Sequence, residues 1–100
     1  MHYRELTVWN KSIDLVEKIY VLTKSFPKDE VFGLASQMRR AAISIPSNIA
    51  EGSRRKSADQ KQFLRISFGS ASELETQLLI AGRLGYGSPE IRRDAESLPI

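Results

Sequence analysis

A run of apolar residues at helical spacing passes through a proline in the segment "LASQMRRAAISIPSNIAEG", and this run constrains the fold most. A proline that starts a new element normally resets the phase of the apolar positions, whereas a proline inside a helix only bends it. The phase is kept on both sides of Pro46 by Leu34, Met38, Ala41, Ala42, Ile45 and Ile49. The sequence therefore predicts one kinked helix over residues 31–51, which Gly52 ends in a left-handed turn.

Helical periodicity dominates the rest of the chain as well, and no stretch shows a sustained two-residue alternation. Pro27 restricts the residue before it and so ends a first helix, and Ser57 with Gln60 resembles a capping box that opens a third. Further helices are predicted over residues 8–26, 57–84 and 89–98. The predicted fold is all-α, an antiparallel up-down four-helix bundle with a kinked second helix and a short fourth helix, formed by residues 1–100 as a single domain.

Several classes of function are excluded by residues that the sequence lacks. The 100 residues include no cysteine, and the single histidine is His2 at the N-terminus. A histidine-based triad or a zinc site therefore cannot be assembled, and the sequence contains no glycine-rich phosphate-loop motif either. We expect no enzymatic activity, no metal and no cofactor. The polar start and the short apolar runs also predict a cytoplasmic protein that does not enter a membrane.

Positive charge is concentrated in the middle of the chain. Residues 39–65 contain seven basic side chains against two acidic ones, a net charge of +5 in a chain whose total is +3. Such a surplus attracts phosphate backbones or an acidic protein surface, although it also suits a solvated turn. The candidate nucleic-acid contacts are Arg54, Arg55 and Lys56, with Arg40, Lys61 and Arg65 as further candidates. No aromatic residue is interleaved with Arg54, Arg55 and Lys56, and Phe63 and Phe68 are expected in the core, so the sequence favours phosphate contact over base stacking.

The third helix contains two features that predict close neighbours. Its core stripe is expected to include Leu64, Phe68 and Ala71, and Gly69 suggests that another helix backbone passes close to it. Glu75 falls within the stripe, where a lone carboxylate is costly, so it either pairs with Arg39 or Arg40 or lies at an exposed edge. Structural roles are accordingly assigned to Arg39, Glu75, Pro46 and Gly52.

A second small apolar face lies on the side of the kinked helix opposite the core stripe. It consists of Ile43 and Ala50, with Pro46 between the two faces. An exposed isoleucine needs no explanation, but the first helix is also apolar over more width than a small core requires. We therefore favour a contact between subunits at Ile43, Pro46 and Ala50, and expect a homo-oligomer.

The blocks "SQMRRAAISIPSNIAEG" and "ELETQL" are specific sequence markers. Over about residues 6–87 the chain resembles the bacterial four-helix-bundle proteins named after the product encoded in intervening sequences of large-subunit ribosomal RNA genes. That family is similar in fold to the accessory protein of diversity-generating retroelements, a pentameric ring that associates with a reverse transcriptase and RNA through a basic surface. The resemblance implies a pentameric, non-enzymatic scaffold that binds RNA or a reverse-transcriptase-like protein.

The chain departs from this family at its end. Family members have a long fourth helix, whereas "SPEIRRDAESLPI" provides about three turns. A short fourth helix leaves apolar surface on the other helices, which association must then cover. The preferred hypothesis is an RNA-binding homo-oligomeric scaffold. The alternative is a self-assembling structural protein without a nucleic-acid partner, whose basic residues are merely solvated.

Overall fold

Four α-helices form the fold, as the sequence predicts, and the computed structural model describes them within residues 2–96. Short 3₁₀ turns at Tyr3–Glu5 and Lys28–Glu30 precede the first and second helices. The α-helices are α1, Thr7–Thr23; α2, Leu34–Ser53; α3, Ser57–Leu84; and α4, Pro89–Glu96. Because the connections are short, successive helices run antiparallel. We call the end of the bundle that contains the α1–α2 and α3–α4 connections the upper end. The opposite end, with the N-terminus and the α2–α3 junction, is the lower end.

The core lies where α2 packs against α3 on one side and α1 on the other. The α2–α3 contact is the most extensive in the described part of the chain, and α4 bridges α1 and α3. Within residues 2–96, no Cα atom of α1 comes within 8 Å of one in α3, so these two helices lie on a diagonal. The most deeply buried large side chains come from three helices, namely Ile19, Leu22, Met38, Ile45 and Leu74.

Helix α2 continues through Pro46, which confirms that this proline does not separate two elements. Pro46 is buried, and it has no N–H to donate to the carbonyl of Ala42. Polar side chains bond backbone carbonyls next to it: Ser67 of α3 donates to the Ile45 carbonyl at 3.1 Å, and Asn48 donates to the Ser44 carbonyl at 2.8 Å. The neighbouring helix therefore takes part in stabilising the backbone around the proline.

Gly52 does not end α2, contrary to the prediction. The helix continues to Ser53, and the described glycines with positive φ are Gly85 and Gly87 instead. A Cβ atom on Gly52 would lie 3.1 Å from the Cβ of Phe63, so this glycine allows α2 and α3 to approach closely. The start of α2 was also predicted three residues early. Glu30 accepts a hydrogen bond from the Leu34 backbone N–H at 3.2 Å, and that contact defines the first turn.

Of the predicted ends of the other helices, some are confirmed and others are not. The range of α3 is as predicted, and Gly85 at φ +74° ends it. Helix α1 ends at Thr23, before the predicted Phe26, because the chain turns there and Ser25 donates to the Leu22 carbonyl at 3.0 Å. Phe26 is nevertheless buried, with its ring centroid 5.4 Å from that of Tyr86. The predicted end of α4 at residue 98 lies outside the described residues.

Two expectations for α3 are wrong. Within residues 2–96, no atom apart from those of its chain neighbours and of the nearby backbone of α3 comes within 4 Å of a Cβ atom placed on Gly69, so no described helix passes close to it. Leu64 is exposed and Phe68 is 68 % exposed, although both belong to the predicted core stripe. They lie on the side of α3 that faces α4, and the described part of α4 extends only about 12 Å along the bundle. An apolar strip is therefore left uncovered on lower α3.

Replacement of Gly69 by alanine is expected to stabilise the protein. The position is exposed and lies inside a helix, so the substitution adds about 1 kcal/mol of helix propensity without a steric conflict. Gly52→Val tests the opposite case, a tightly packed glycine. Overpacking against Phe63 should lower the free energy of unfolding by about 1–3 kcal/mol. Urea unfolding at a fixed protein concentration measures both free energies. A destabilised Gly69→Ala variant would show that the surface around Gly69 is covered in solution.

Candidate nucleic-acid interface

Three consecutive cations form the turn between α2 and α3 at the lower end. Arg54, Arg55 and Lys56 are all exposed there. Ser57 at the start of α3 has φ +49°, in the left-handed region, and this conformation helps the chain to reverse within three residues. The tight approach of the two helices at Gly52 therefore ends in a short turn that presents its side chains to solvent.

One of these cations is fixed by neighbours within the bundle. The Arg55 guanidinium lies 2.5 Å from a carboxylate oxygen of Glu51, one turn earlier, and 5.6 Å from the centroid of the Phe63 ring. Both partners of the ion pair remain about half exposed. Within residues 2–96, neither Arg54 nor Lys56 forms an ion pair with a carboxylate. Most of the positive charge of the turn therefore faces solvent.

The N-terminal 3₁₀ turn adds a fourth cation and an aromatic cluster to the same end. The guanidinium of Arg54 lies 5.5 Å from the Tyr3 ring centroid, and that of Arg4 lies 5.9 Å from it. Trp9 contacts Tyr3 edge-on at 5.3 Å, and His2 stacks on Tyr3 at 4.6 Å. We call Arg4, Arg54, Arg55 and Lys56 the basic end. The sequence did not reveal this contact, because it joins segments far apart in the chain.

The other predicted cations are placed elsewhere. Lys61 and Arg65 are exposed, and at 100° per residue each lies about 160° around α3 from Phe63, which faces α2. Arg40 lies about 21 Å along α2 from Arg54. It lines a shallow depression between α2 and α3 together with Glu73. Arg54, Arg55 and Lys56 therefore stay together, Lys61 and Arg65 share the outer side of lower α3, and Arg40 lies apart from both groups.

Arg39 and Glu75 do not form the buried pair that was one of the two expectations. Arg39 donates through Nε to the hydroxyl of Thr23 at 2.8 Å, and its guanidinium lies 4.5 Å from the Tyr20 ring centroid. It thus connects α2 to α1. Glu75 is exposed beside the cavity between α1, α3 and α4, which is the other expected arrangement.

The predicted oligomer contacts lie along one open groove between α1 and α2. Ile43 is 41 % exposed, Ala50 is half-buried, and Pro46 is buried but contributes to the floor. The opposite wall comes from α1 and the N-terminal turn, and the groove has a volume of about 300 Å³. We call it the α1–α2 groove; its lining consists of Tyr3, Trp9, Ile13, Val16, Ile43, Pro46, Ser47 and Ala50.

Lys18 and Tyr86 have shifted pKa values, and the groups that shift them lie in elements packed against α4 or the upper connections. Asp94 raises the pKa of Lys18, first through a 2.5 Å hydrogen bond and then through its charge. The pKa of Tyr86 is raised by burial and then by the nearby Glu30 carboxylate. These contacts tie α4 to α1 and the α3–α4 turn to the α1–α2 connection.

The fold and site define a small helical bundle with a basic end. In the described part of the chain, no three His, Asp or Glu side chains are grouped as metal ligands, and no helix has the length and apolar character needed to cross a bilayer. The chain belongs to the family of 23S rRNA-intervening sequence proteins, whose profile matches residues 4–98. A search of curated proteins found no match. Family membership confirms the resemblance drawn from the two sequence blocks.

Replacement of Glu51 by glutamine is expected to strengthen binding to a polyanion. The change releases Arg55 from its ion pair and adds one positive charge at the basic end, while an exposed pair of this kind contributes less than about 1 kcal/mol to stability. Elution from immobilised heparin should therefore require more salt. Glu75→Gln makes the same charge change on exposed α3 and serves as the control. Equal shifts for the two variants would contradict a local effect of the basic end.

Proposed function

We propose that this protein is a non-enzymatic, homo-oligomeric scaffold of the cytoplasm that binds RNA through its basic end. The observation that carries the proposal is the grouping of Arg4, Arg54, Arg55 and Lys56 at one end of the bundle, where Glu51 pairs with only one of them. Exposed cations of this kind bind phosphates and release counterions. The family description, which refers to ribosomal RNA, is compatible with an RNA partner.

Association of subunits would raise the affinity for RNA above that of a single basic end. A single end offers few phosphate contacts, but several ends in one particle engage the same RNA at a high effective concentration. Apolar surface suited to association occurs in the α1–α2 groove and at Leu64 and Phe68 on lower α3. We propose the groove as the subunit contact. The resemblance drawn from the sequence predicts five subunits.

Removal of the junction cations tests the RNA interface. In the variant Arg54→Ala/Arg55→Ala/Lys56→Ala, RNA affinity at low salt should fall, since up to three phosphate contacts are lost. The plot of the logarithm of the RNA association constant against the logarithm of the salt concentration has a negative slope, which should become less steep by roughly 2 to 3. Fluorescence anisotropy with labelled RNA measures both quantities. The matched control is Lys28→Ala/Arg83→Ala/Arg93→Ala, which removes the same charge from exposed positions toward the upper end.

Three results would decide against this proposal. Binding that does not weaken with salt would exclude phosphate contacts as its source. Equal losses in the two triple variants would indicate a general effect of net charge. A stable oligomer with no RNA binding at low salt would favour the alternative, a self-assembling structural protein.

The subunit contact is tested by placing a charge in the α1–α2 groove. Ile43→Glu should reduce the mass of the native particle in sedimentation or light scattering, because a buried, unpaired carboxylate is costly at an interface. Ile66→Glu is the control, since Ile66 is 40 % exposed, close to the 41 % of Ile43, and lies outside the groove. An unchanged mass for Ile43→Glu, or a monomeric unaltered protein, would contradict the proposed contact.

A further inference from the structure

We propose that the His2–Tyr3 ring stack beside Arg4 and Arg54 binds an unpaired base, so that the RNA ligand of the basic end is single-stranded. The inference rests on the proposed function and specifies its substrate class. The sequence alone favoured phosphate contact without stacking, because no aromatic residue lies near residues 54–56 in the chain. Folding brings the N-terminal rings to that turn and changes this expectation.

The rings already form a layered arrangement. The His2 and Tyr3 ring centroids are 4.6 Å apart with 26° between the planes, a stacked geometry. His2 is exposed and its inner face lies against Tyr3, so the accessible part of its ring is the outer face and edge. A base placed there would extend the stack by one layer. Any of the four bases has a suitable face, so this contact tolerates different sequences.

The stack is held in place by the fold. Trp9 of α1 contacts Tyr3 edge-on at 5.3 Å, and Asn10 donates a hydrogen bond to the Arg4 carbonyl at 2.9 Å. The Nδ1 atom of His2 accepts from the Arg4 backbone N–H at 3.3 Å. The Tyr3–Glu5 turn has no buried residue, so its rings are not committed to the core. A prearranged surface of this kind binds with a smaller loss of conformational entropy.

The two guanidinium groups provide the charge that a nucleotide requires. Arg54 lies 5.5 Å and Arg4 5.9 Å from the Tyr3 ring centroid, so both cations border the rings. A base on the stack would have its phosphates within the field of these cations. Bases inside a duplex are already stacked between their neighbours and paired across the helix, so only the terminal pairs present an open face. The arrangement therefore favours an unpaired strand.

Comparison of the affinities for single-stranded and duplex RNA distinguishes binding by base stacking from binding by charge alone. A surface that acts through charge alone prefers the duplex, whose charge density is higher. With end-labelled RNA of about ten nucleotides, we expect the single strand to bind more tightly than the duplex. Tyr3→Leu should weaken single-strand binding by about tenfold and leave duplex binding nearly unchanged. Tyr3→Phe retains the ring and should bind as the unaltered protein does.

Trp9 provides a second readout that charge alone would not produce. It is the only tryptophan and contacts the Tyr3 ring. Its emission should change on addition of the single strand, and change much less with an abasic strand of the same length and charge. Circular dichroism of each variant shows whether the helices are retained. The native mass of Tyr3→Leu is measured as well, because Tyr3 also lines the α1–α2 groove, the proposed subunit contact.

The outcomes distinguish failure of this inference from failure of the proposed function. If the duplex binds as well as the single strand, and Tyr3→Leu matches Tyr3→Phe, the stack is not a base-binding site while the basic end still binds RNA. If neither RNA binds at low salt, both proposals are overturned. Single-strand preference with loss in Tyr3→Leu and retention in Tyr3→Phe supports both.

Discussion

The close packing of α2 against α3 is the interaction on which the rest of the structure depends. It is made by small residues: Gly52 lets Phe63 approach, Ser67 donates to the Ile45 carbonyl beside Pro46, and Ser70 bonds to Ser44. Because these helices lie so close, the turn that joins them is short. Its three cations therefore lie side by side at the lower end, where the N-terminal rings can reach them. The α1–α2 groove occupies the other side of α2. Helix α2 therefore contributes residues to the core and to the groove, and it leads into the α2–α3 junction.

Periodicity predicted the elements of this fold well, because it reports which residues of one helix face inward. It gave the range of α3 and the continuation of α2 through Pro46. It did not predict which glycine lies at a helix crossing, since that depends on how two helices are placed against each other. Gly52 was assigned to a helix end and proved to be the close contact, whereas Gly69 was assigned to a close contact and is open. Phe68 was assigned to the core by its spacing alone, although the short fourth helix predicted from the same sequence does not reach lower α3.

The sequence predicted the part of the candidate site that consists of consecutive residues. It did not predict the contact between segments that are far apart in the chain. Arg54, Arg55 and Lys56 are consecutive, so the junction could be identified from the chain. Arg40 was grouped with them by sequence distance, but the rise of a helix separates it from the junction by about 21 Å. The contact of Tyr3 with Arg54 could not be derived from local patterns. The signal in the sequence was the presence of Tyr3 and Trp9 in "MHYRELTVW", and nothing in that segment indicates that its rings reach residues 54–56.

The most direct test of the central claim is lysine acetylation footprinting of the unaltered protein with and without RNA. Lys56 belongs to the basic end, whereas Lys28 is exposed at the upper end and provides an internal reference. If RNA binds at the basic end, Lys56 should be acetylated more slowly in the complex while the rate at Lys28 stays the same. Protection of Lys28 without protection of Lys56, or unchanged rates at both under conditions that saturate RNA binding, would contradict the account.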